Sequence, residues 1–298
     1  RGDAIAAEAL HRETLARRRT VIAERGDPSL DLTSSLNNLA LALRDQGRAD
    51  EALPLLEELL ILRRERHGDP HSRVATALGN LALVYSSLGR QAEAEPLFLE
   101  SLAQVRQLFG DDHPKMASAL LNVAGNLRDL GRLEEAVPLA RRGLELRRRW
   151  LGPGHPERLA AQRYLAAMLL RVGEVEESEE LLRDAIERRQ AGAGPPHPDL
   201  ARDLSVLAEV LAARGGLEEA ERIARRALAL DRQLLGEEHP RVADGFFRLG
   251  RLLADRGFVE PAAEAFRSCL ERNEARLGPE HATVRTVKQR LEALSQPP

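Results

Sequence analysis

Cysteine and aromatic residues are scarce in this chain of 298 residues. Cys269 is the single cysteine, which excludes an internal disulfide. Phenylalanine, tryptophan and tyrosine together make up 3% of the residues, and no stretch sustains the apolar–polar alternation of a half-buried strand. These absences exclude a disulfide-stapled fold and argue against a β-sheet protein.

Long apolar runs are missing as well. No stretch approaches the roughly 18 apolar residues of a membrane-spanning helix, and no signal peptide is recognisable. The chain begins at Arg1 and not at methionine, so we read it as a piece of a longer protein. From the single cysteine and the missing span we expect a cytoplasmic protein that does not contact membranes.

Neither sign of charge dominates, and the formal net charge is −3 at neutral pH. This balance argues against nucleic-acid binding, which uses a strongly basic face. Lys115 and Lys288 are the only lysines among 44 basic residues. The bias towards arginine indicates GC-rich coding and a bacterial source.

Catalytic motifs are also lacking. The sequence has no P-loop, no Gly-x-Gly-x-x-Gly, no Gly-x-Ser-x-Gly and no His-Glu-x-x-His. Cys269 follows Ala227 by one 42-residue step of the repeat described next, which indicates a packing position and not a nucleophile. We therefore expect no enzymatic activity and no cofactor.

What the chain does contain is a repeat with a step of 42 residues. Histidines recur at this step: His71, His113, His155, His197, His239 and His281. So do two series of glycines: Gly26, Gly68, Gly110, Gly152, Gly194, Gly236 and Gly278, and Gly47, Gly89, Gly131, Gly173, Gly215 and Gly257. A fixed period of this length indicates one structural unit copied along the chain.

The histidine series has two interpretations, a metal site or a structural joint. Helices that stack in neighbouring layers lie roughly 8–10 Å apart, whereas zinc holds each nitrogen ligand at about 2.0–2.1 Å. One histidine per layer cannot share a metal with the next, so we predict joints and no bound metal. Proline follows four of the histidines, and because proline suits the first helical position, each histidine should cap a helix.

Each repeat reads as two helices. In residues 71–112, Leu78, Leu81, Ala82 and Tyr85 line one face of a first helix, and Gly89 ends it. A second helix begins near residue 92, with acidic residues in its first turn and basic residues in its last, as the helix dipole favours. A proline early in some second helices should bend them and not break them: Pro54, Pro96 and Pro138.

The internal spacing resembles the tetratricopeptide repeat. Leu78-x2-Leu81-Ala82-x2-Tyr85 followed by Ala94-x3-Phe98 matches its pattern, and the 42-residue step resembles repeats of the kinesin-light-chain type. The resemblance implies an all-α, right-handed superhelical solenoid of antiparallel helix pairs. We expect residues 1–26 to be a partial first repeat, 27–280 to hold six repeats, and 281–298 to form a polar capping helix and tail, with a soft joint at 190–198.

The resemblance also implies a concave groove lined by the first helices. Four residues of its first half that lie off the packing stripe are asparagines: Asn37, Asn38, Asn80 and Asn122. An asparagine amide offers two donors and an acceptor, so it can pair with the backbone of a bound peptide. The alternative is that these asparagines bond to neighbouring repeats and order the stack.

The second half of this predicted groove carries different residues: Arg163, Tyr164, Arg202, Arg248 and Arg251. Arginine suits bidentate recognition of carboxylates, so a protein or peptide ligand with acidic character is expected there. The alternative is that they are ordinary surface arginines of an arginine-rich protein. Trp150, at the end of a second helix, is expected to cover a joint between repeats.

Three functional hypotheses follow. The first is a protein-interaction scaffold that holds a peptide segment in the groove. The second is a regulatory or sensor region of a larger signalling enzyme, such as a kinase, NTPase or protease, whose catalytic domain is not in this chain. The third is an assembly unit that self-associates through its ends. If the groove does not bind, the outer face of the second helices, with Arg147 and Arg148, is the alternative surface.

Overall fold

The computed structural model describes residues 2–25, 32–191 and 197–295. Every regular element in these three ranges is an α-helix, which confirms the predicted all-α class. The chain divides into two compact units, residues 1–150 and 151–298. Among the described helices, none is long and apolar enough to cross a membrane.

The first unit consists of one helix followed by three helix pairs. Its helices are α1 (Gly2–Arg25), α2 (Thr33–Asp45), α3 (Ala49–His67), α4 (Ser72–Ser87), α5 (Gln91–Phe109), α6 (Pro114–Asp129) and α7 (Leu133–Trp150). Within each pair, a turn of three residues reverses the chain. In this unit the helices α2 to α6 each pack against the helix before and the helix after them in the chain. The first helix, α1, packs against α2, and the last, α7, packs against α6.

The second unit consists of three helix pairs followed by one helix. Its helices are α8 (Pro156–Val172), α9 (Val175–Gln190), α10 (Pro198–Ala213), α11 (Leu217–Leu235), α12 (Pro240–Asp255), α13 (Val259–Leu277) and α14 (Ala282–Ser295). We call the even-numbered helices first helices and the odd-numbered ones second helices. The second helix predicted to begin near residue 92 starts at Gln91.

The recurring histidines start the first helices. In each one the imidazole Nδ1 accepts the backbone N–H of the residue two positions later, at 3.1–3.2 Å. Proline is the first helical residue at four of these starts: Pro114, Pro156, Pro198 and Pro240. The predicted helix caps are therefore confirmed. The described residues hold no group of three or more potential metal ligands.

Glycine ends the first helix of a pair where a left-handed residue is needed. Gly89, for example, has a φ of +74°, a conformation that costs glycine little and other residues more. Pro96 lies inside α5 without ending it, as predicted. Gly26, Gly194 and residues 192–196 of the predicted soft joint lie outside the described residues.

Apolar residues of each pair meet in a dense core. In the first unit, Leu36, Leu56 and Leu78 have no exposed surface and belong to one cluster. In the second unit, Cys269 packs with Phe266 and is 1% exposed. Burial raises the pKa of the Cys269 thiol to about 11, so the predicted packing role is supported.

The last helix, α14, is amphipathic and mostly exposed. Val284 and Val287 are its fully buried residues, and Val287 joins the cluster of Phe266 and Cys269. Its remaining surface is largely polar, with Arg285 and Gln289 exposed. The helix thus covers an apolar side of the last pair and presents polar groups outwards.

Candidate functional site

The predicted binding residues lie on the first helices, beside the buried stripe and not in it. On α4, Leu78, Leu81 and Ala82 are buried, whereas Asn80 is half-buried. Asn38 on α2 is exposed, and Asn122 on α6 is half-buried. Each unit has such a surface, which we call its first-helix face: it carries Asn37, Asn38, Asn80 and Asn122 in the first unit, and Arg163, Tyr164, Arg202, Arg248 and Arg251 in the second.

Two of the asparagines bond to each other across neighbouring repeats. The Asn80 side-chain amide donates to the Asn37 carbonyl oxygen at 2.9 Å. For this pair the ordering role foreseen as an alternative is therefore present. One donor of Asn80 is used, and the amide keeps a second N–H and its own oxygen.

The other two asparagines differ from that pair. Within the described residues, the side chains of Asn38 and Asn122 make no hydrogen bond to the protein. Asparagine is a poor helix former, and here no internal bond compensates for its presence in the helix. Asn38 and Asn122 therefore present unused donors and acceptors on the first-helix face.

Neighbouring first helices contact each other with an offset of 43 residues, one more than the repeat. Asn80 reaches Asn37 in this way, and Arg248 reaches the Ser205 hydroxyl at 3.3 Å. Arg241 reaches the backbone carbonyl of Pro198 at 3.0 Å with the same offset. Each of these three contacts therefore joins a residue to one that lies one position earlier in the preceding repeat.

In the second unit, Arg163 is held by carboxylates of the chain. Its Nη1 donates to Asp203 at 2.9 Å and lies 3.3 Å from Asp199. Arg189 of the second helix α9 donates to the other oxygen of Asp203 at 2.5 Å. Asp203 has no exposed surface, so a buried carboxylate lies between two guanidinium groups. Burial raises the pKa of Asp203, and the charges of Arg163 and Arg189 oppose that shift.

Two more of the predicted arginines also have internal partners. Arg202 donates to Asp199 at 3.0 Å, and Arg248 donates to Glu209 at 2.8 Å. Burial favours a higher pKa for Asp199, but the charges of Arg163 and of its other arginine neighbours outweigh it and lower the pKa. A ligand carboxylate at these arginines would compete with carboxylates already in place.

Arg251 and Tyr164 complete the face of the second unit. Arg251 is exposed and makes no ion pair with any residue in the described ranges. Tyr164 is half-buried. Among the four predicted arginines, Arg251 is thus the one without an ion pair in the described residues.

Two buried polar residues of this region were not predicted. Asn126 is 3% exposed and accepts from Ser86 at 3.4 Å, and Asp203 is the buried carboxylate described above. Both interrupt series of apolar or small residues at the 42-residue step: Val84, Met168 and Val210 for Asn126, and Ala77, Ala119 and Ala161 for Asp203. A polar residue in an apolar series was the signal that could have identified them.

Residues at the end of α7 lie partly as expected. The indole N–H of Trp150 donates to the backbone carbonyl of Asp112, in the turn between α5 and α6, at 2.8 Å. Trp150 thus contacts a joint between repeats. Arg147 was expected on the outer face, but it is half-buried and donates to Ser118 of the first helix α6 at 2.7 Å. Arg148 is exposed.

The sequence of the chain matches a known protein family. The tetratricopeptide repeat profile matches residues 31–107, 92–149, 115–191, 157–233 and 199–275. The chain belongs to the tetratricopeptide repeat (TPR) family. No curated protein sequence matched it.

Solved structures similar to this TPR protein include kinesin-light-chain relatives. The nearly identical TPR-like repeats of a Podosopora anserina protein described as a kinesin light chain are 25% identical, with a TM-score of 0.59 over 68% of this chain and 96% of that one. BtubC (BKLC) from P. vanneervenii is 22% identical, with a TM-score of 0.64 over 78% of this chain and 92% of that one. The predicted resemblance is therefore confirmed.

A third similar structure is a signal transduction ATPase with a tetratricopeptide repeat sensor from Pyrococcus horikoshii. It is 14% identical, with a TM-score of 0.62, and the match covers 98% of this chain and 44% of that one. At this identity, as for BtubC, the similarity shows the fold.

Proposed function

We propose that this TPR protein binds peptide segments of partner proteins on the first-helix faces of its two units and has no catalytic role. The observation that carries the proposal is the state of Asn38 and Asn122. Both side chains lie on the first-helix face, and neither is bonded to the protein within the described residues. Their donors and acceptors are available to the main chain of a ligand.

Asn37 and Asn80 take a related part in the proposal. Their mutual bond holds α2 and α4 in register, and Asn80 keeps an N–H and an oxygen for a ligand. A carboxamide that pairs with backbone N–H and C=O groups recognises an extended segment without regard to its side chains. The asparagines thus supply general affinity.

Any preference for acidic ligands rests chiefly on Arg251. Its guanidinium is exposed and without an ion pair in the described structure, whereas Arg163, Arg202 and Arg248 hold Asp203, Asp199 and Glu209. An exposed arginine adds roughly 0.2–1 kcal/mol to binding of a carboxylate. Acidic side chains of a peptide should therefore raise its affinity only modestly.

The experiment is a peptide array with acidic, neutral and basic members, followed by fluorescence anisotropy of the peptides that bind. Asn38→Ala and Asn122→Ala should each weaken every peptide bound to the first unit by the equivalent of one hydrogen bond, about 0.5–1.5 kcal/mol. Arg251→Glu should weaken acidic peptides alone and reduce the salt dependence of their binding.

Two controls separate binding from stacking. Asn37→Ala removes the bond to Asn80, so it measures how much peptide affinity is lost when α2 and α4 are no longer held in register. Arg148→Ala changes an exposed residue of a second helix and should leave affinity unchanged. Peptides that survive Asn38→Ala and Asn122→Ala but are lost in Arg148→Ala would move the binding surface to the second helices and disprove the proposal.

A further inference from the structure

The joint between α3 and α4 differs from the other joints that the structure describes. The residue four positions before the capping histidine is apolar at the other described joints: Phe109, Leu151, Leu235 and Leu277. At this joint it is His67, the last residue of α3. The rings of His67 and His71 stack with their centroids 4.2 Å apart and their planes within 8° of parallel.

The cap at this joint requires a neutral imidazole. Nδ1 of His71 accepts the backbone N–H of Arg73 at 3.2 Å. A protonated imidazole carries a hydrogen on both nitrogens and cannot accept. Its positive charge would also lie at the N-terminus of α4, where the helix dipole disfavours cations. Proton uptake by His71 therefore breaks the cap.

The side chains nearest the stacked pair are mainly basic. Arg63 and Arg66 of α3 and Arg73 of α4 all act on His67 with positive charge. Partial burial is the largest influence, and the charges of His71 and these arginines add to it, so the pKa of His67 is lowered. Two charged imidazoles at this distance would repel each other as well.

The carboxylates of the joint are already engaged. Asp69 accepts from Arg64 at 3.0 Å and from Gln104 of α5 at 2.8 Å. Glu100 of α5 pairs with Arg64 and accepts from Gln104 at 3.3 Å. Gln104 in turn accepts the backbone N–H of His71 at 3.3 Å. Arg64 bonds to both acids, so these three groups together carry one negative charge, fewer than the three positive charges that Arg63, Arg66 and Arg73 place around His67.

We propose that the α3–α4 joint is a proton-sensitive hinge, in which uptake of protons by the His67–His71 pair breaks the cap of α4 and opens its first turn. The direction of the pH effect on the stability of the joint follows from the linkage between proton binding and folding. A histidine with a lowered pKa in the folded state binds protons more tightly when the joint is open. The stability of the joint is therefore complete above the ordinary histidine value of about 6.5 and falls as the pH decreases below it.

The test is amide hydrogen exchange at Arg73, whose N–H makes the cap bond, with rates corrected for the intrinsic effect of pH. From about pH 7.5 to about pH 5.5, the range in which histidines change charge, protection of this amide in the wild-type chain should fall at least about five-fold, the ratio that a lost cap represents. The Arg241 amide, capped by His239 beside Leu235, is an internal reference and should change less.

Variants of His67 and His71 complete the design, and the residues that replace His67 are those found at other joints. His67→Leu should make the pH dependence of Arg73 protection shallower, because one of the two proton-binding groups is removed. The double variant His67→Leu/His71→Asn, which keeps a cap that does not titrate, should abolish it. If His67→Leu does not fold, His67→Phe restores the ring contact that Phe109 makes with His113 at 4.5 Å. A pH dependence in His67→Leu equal to that of the wild type, or equal responses at Arg73 and Arg241, would overturn the proposal.

Discussion

Nη1 of Arg163 lies 2.9 Å from Oδ1 of Asp203, a carboxylate without exposed surface. Arg189 holds the second oxygen of the same carboxylate. The three residues come from α8, α10 and α9, so one buried ionic group joins three helices. Ions buried in this way are strongly interdependent, because each is costly to bury without its partners.

Removing the carboxylate alone should be severe. Asp203→Ala leaves Arg163 and the buried Arg189 with only the more distant carboxylate of Asp199, at 3.3 and 3.8 Å, and we expect it to lower the free energy of unfolding of the second unit by about 3–5 kcal/mol. The backbone itself accepts alanine, which stands at the equivalent positions of other repeats, as in Ala119 and Ala161. Urea denaturation followed by circular dichroism measures the loss.

Replacing all three charged residues should restore the stability that Asp203→Ala loses. The triple variant Arg163→Leu/Arg189→Val/Asp203→Ala uses residues found at these positions in other repeats, and apolar replacements of a buried ion group are often neutral or stabilising. We expect its unfolding midpoint to lie near that of the wild type. A triple variant as unstable as Asp203→Ala would contradict the assignment of the loss to unpaired charge.

The joints outside the α3–α4 hinge should behave as ordinary helix caps. His155 accepts the Glu157 N–H at 3.2 Å, so His155→Ala should cost about 0.5–2 kcal/mol of stability. His155→Asp keeps an acceptor at the same place and should recover most of the loss. Thermal unfolding separates the two, and equal stabilities of the alanine and aspartate variants would show that the cap bond is unimportant.

Gly250 is a position where a methyl group has no room. An added Cβ would lie 2.9 Å from two ring carbons of Phe266, which is 1% exposed. Overpacking of this kind costs about 1–3 kcal/mol, and the better helix propensity of alanine returns about 1 kcal/mol at most. Gly250→Ala should therefore destabilise the protein in chemical denaturation.

Gly79 supplies the matched control for Gly250. It is buried in α4, but the nearest atom to an added Cβ is Ser101 Oγ at 3.6 Å, an ordinary contact. Gly79→Ala should be neutral or stabilising by up to about 1 kcal/mol. If both glycine variants lose stability equally, the contact with Phe266 is not the cause.

The last helix should be needed for solubility. Deleting residues 282–298 removes Val284 and Val287 and uncovers Phe266 and Leu270, against which α14 packs. Terminal repeats with a polar outer face keep solenoids soluble, so the shortened chain should associate while its helix content per residue stays nearly constant. Sedimentation velocity at increasing concentration checks this, and a shortened chain that stays monomeric would contradict the capping role.

The helices could be predicted from the sequence because their signals are local. His113 and Pro114 start α6, and an apolar stripe such as that of Leu78 and Leu81 fixes the face that packs. These features depend on residues a few positions apart, and each is repeated several times at the same step. Repetition turned weak individual signals into consistent helix bounds.

The partners of the polar side chains could not be predicted in the same way. Arg248 finds Glu209 and Arg163 finds Asp203 at separations of 39 and 40 residues. Which of several nearby acids an arginine reaches depends on its rotamer and on the distance between two packed helices, and neither is written in a periodic pattern. The bond of Asn80 to Asn37, rather than to a residue 42 positions away, likewise follows from the offset between first helices.

The two kinds of contact have different consequences when repeats are exchanged. Each histidine cap closes within its own helix, two residues along the chain, so a 42-residue block transplanted to another place brings its cap with it. Bonds such as Asn80–Asn37 and Arg248–Ser205 are instead shared between adjacent blocks. Shuffled arrays would keep their helices and lose the lateral bonds of the first-helix face. The lateral bonds of the first-helix face therefore depend on the order of the repeats, whereas the cap bonds do not.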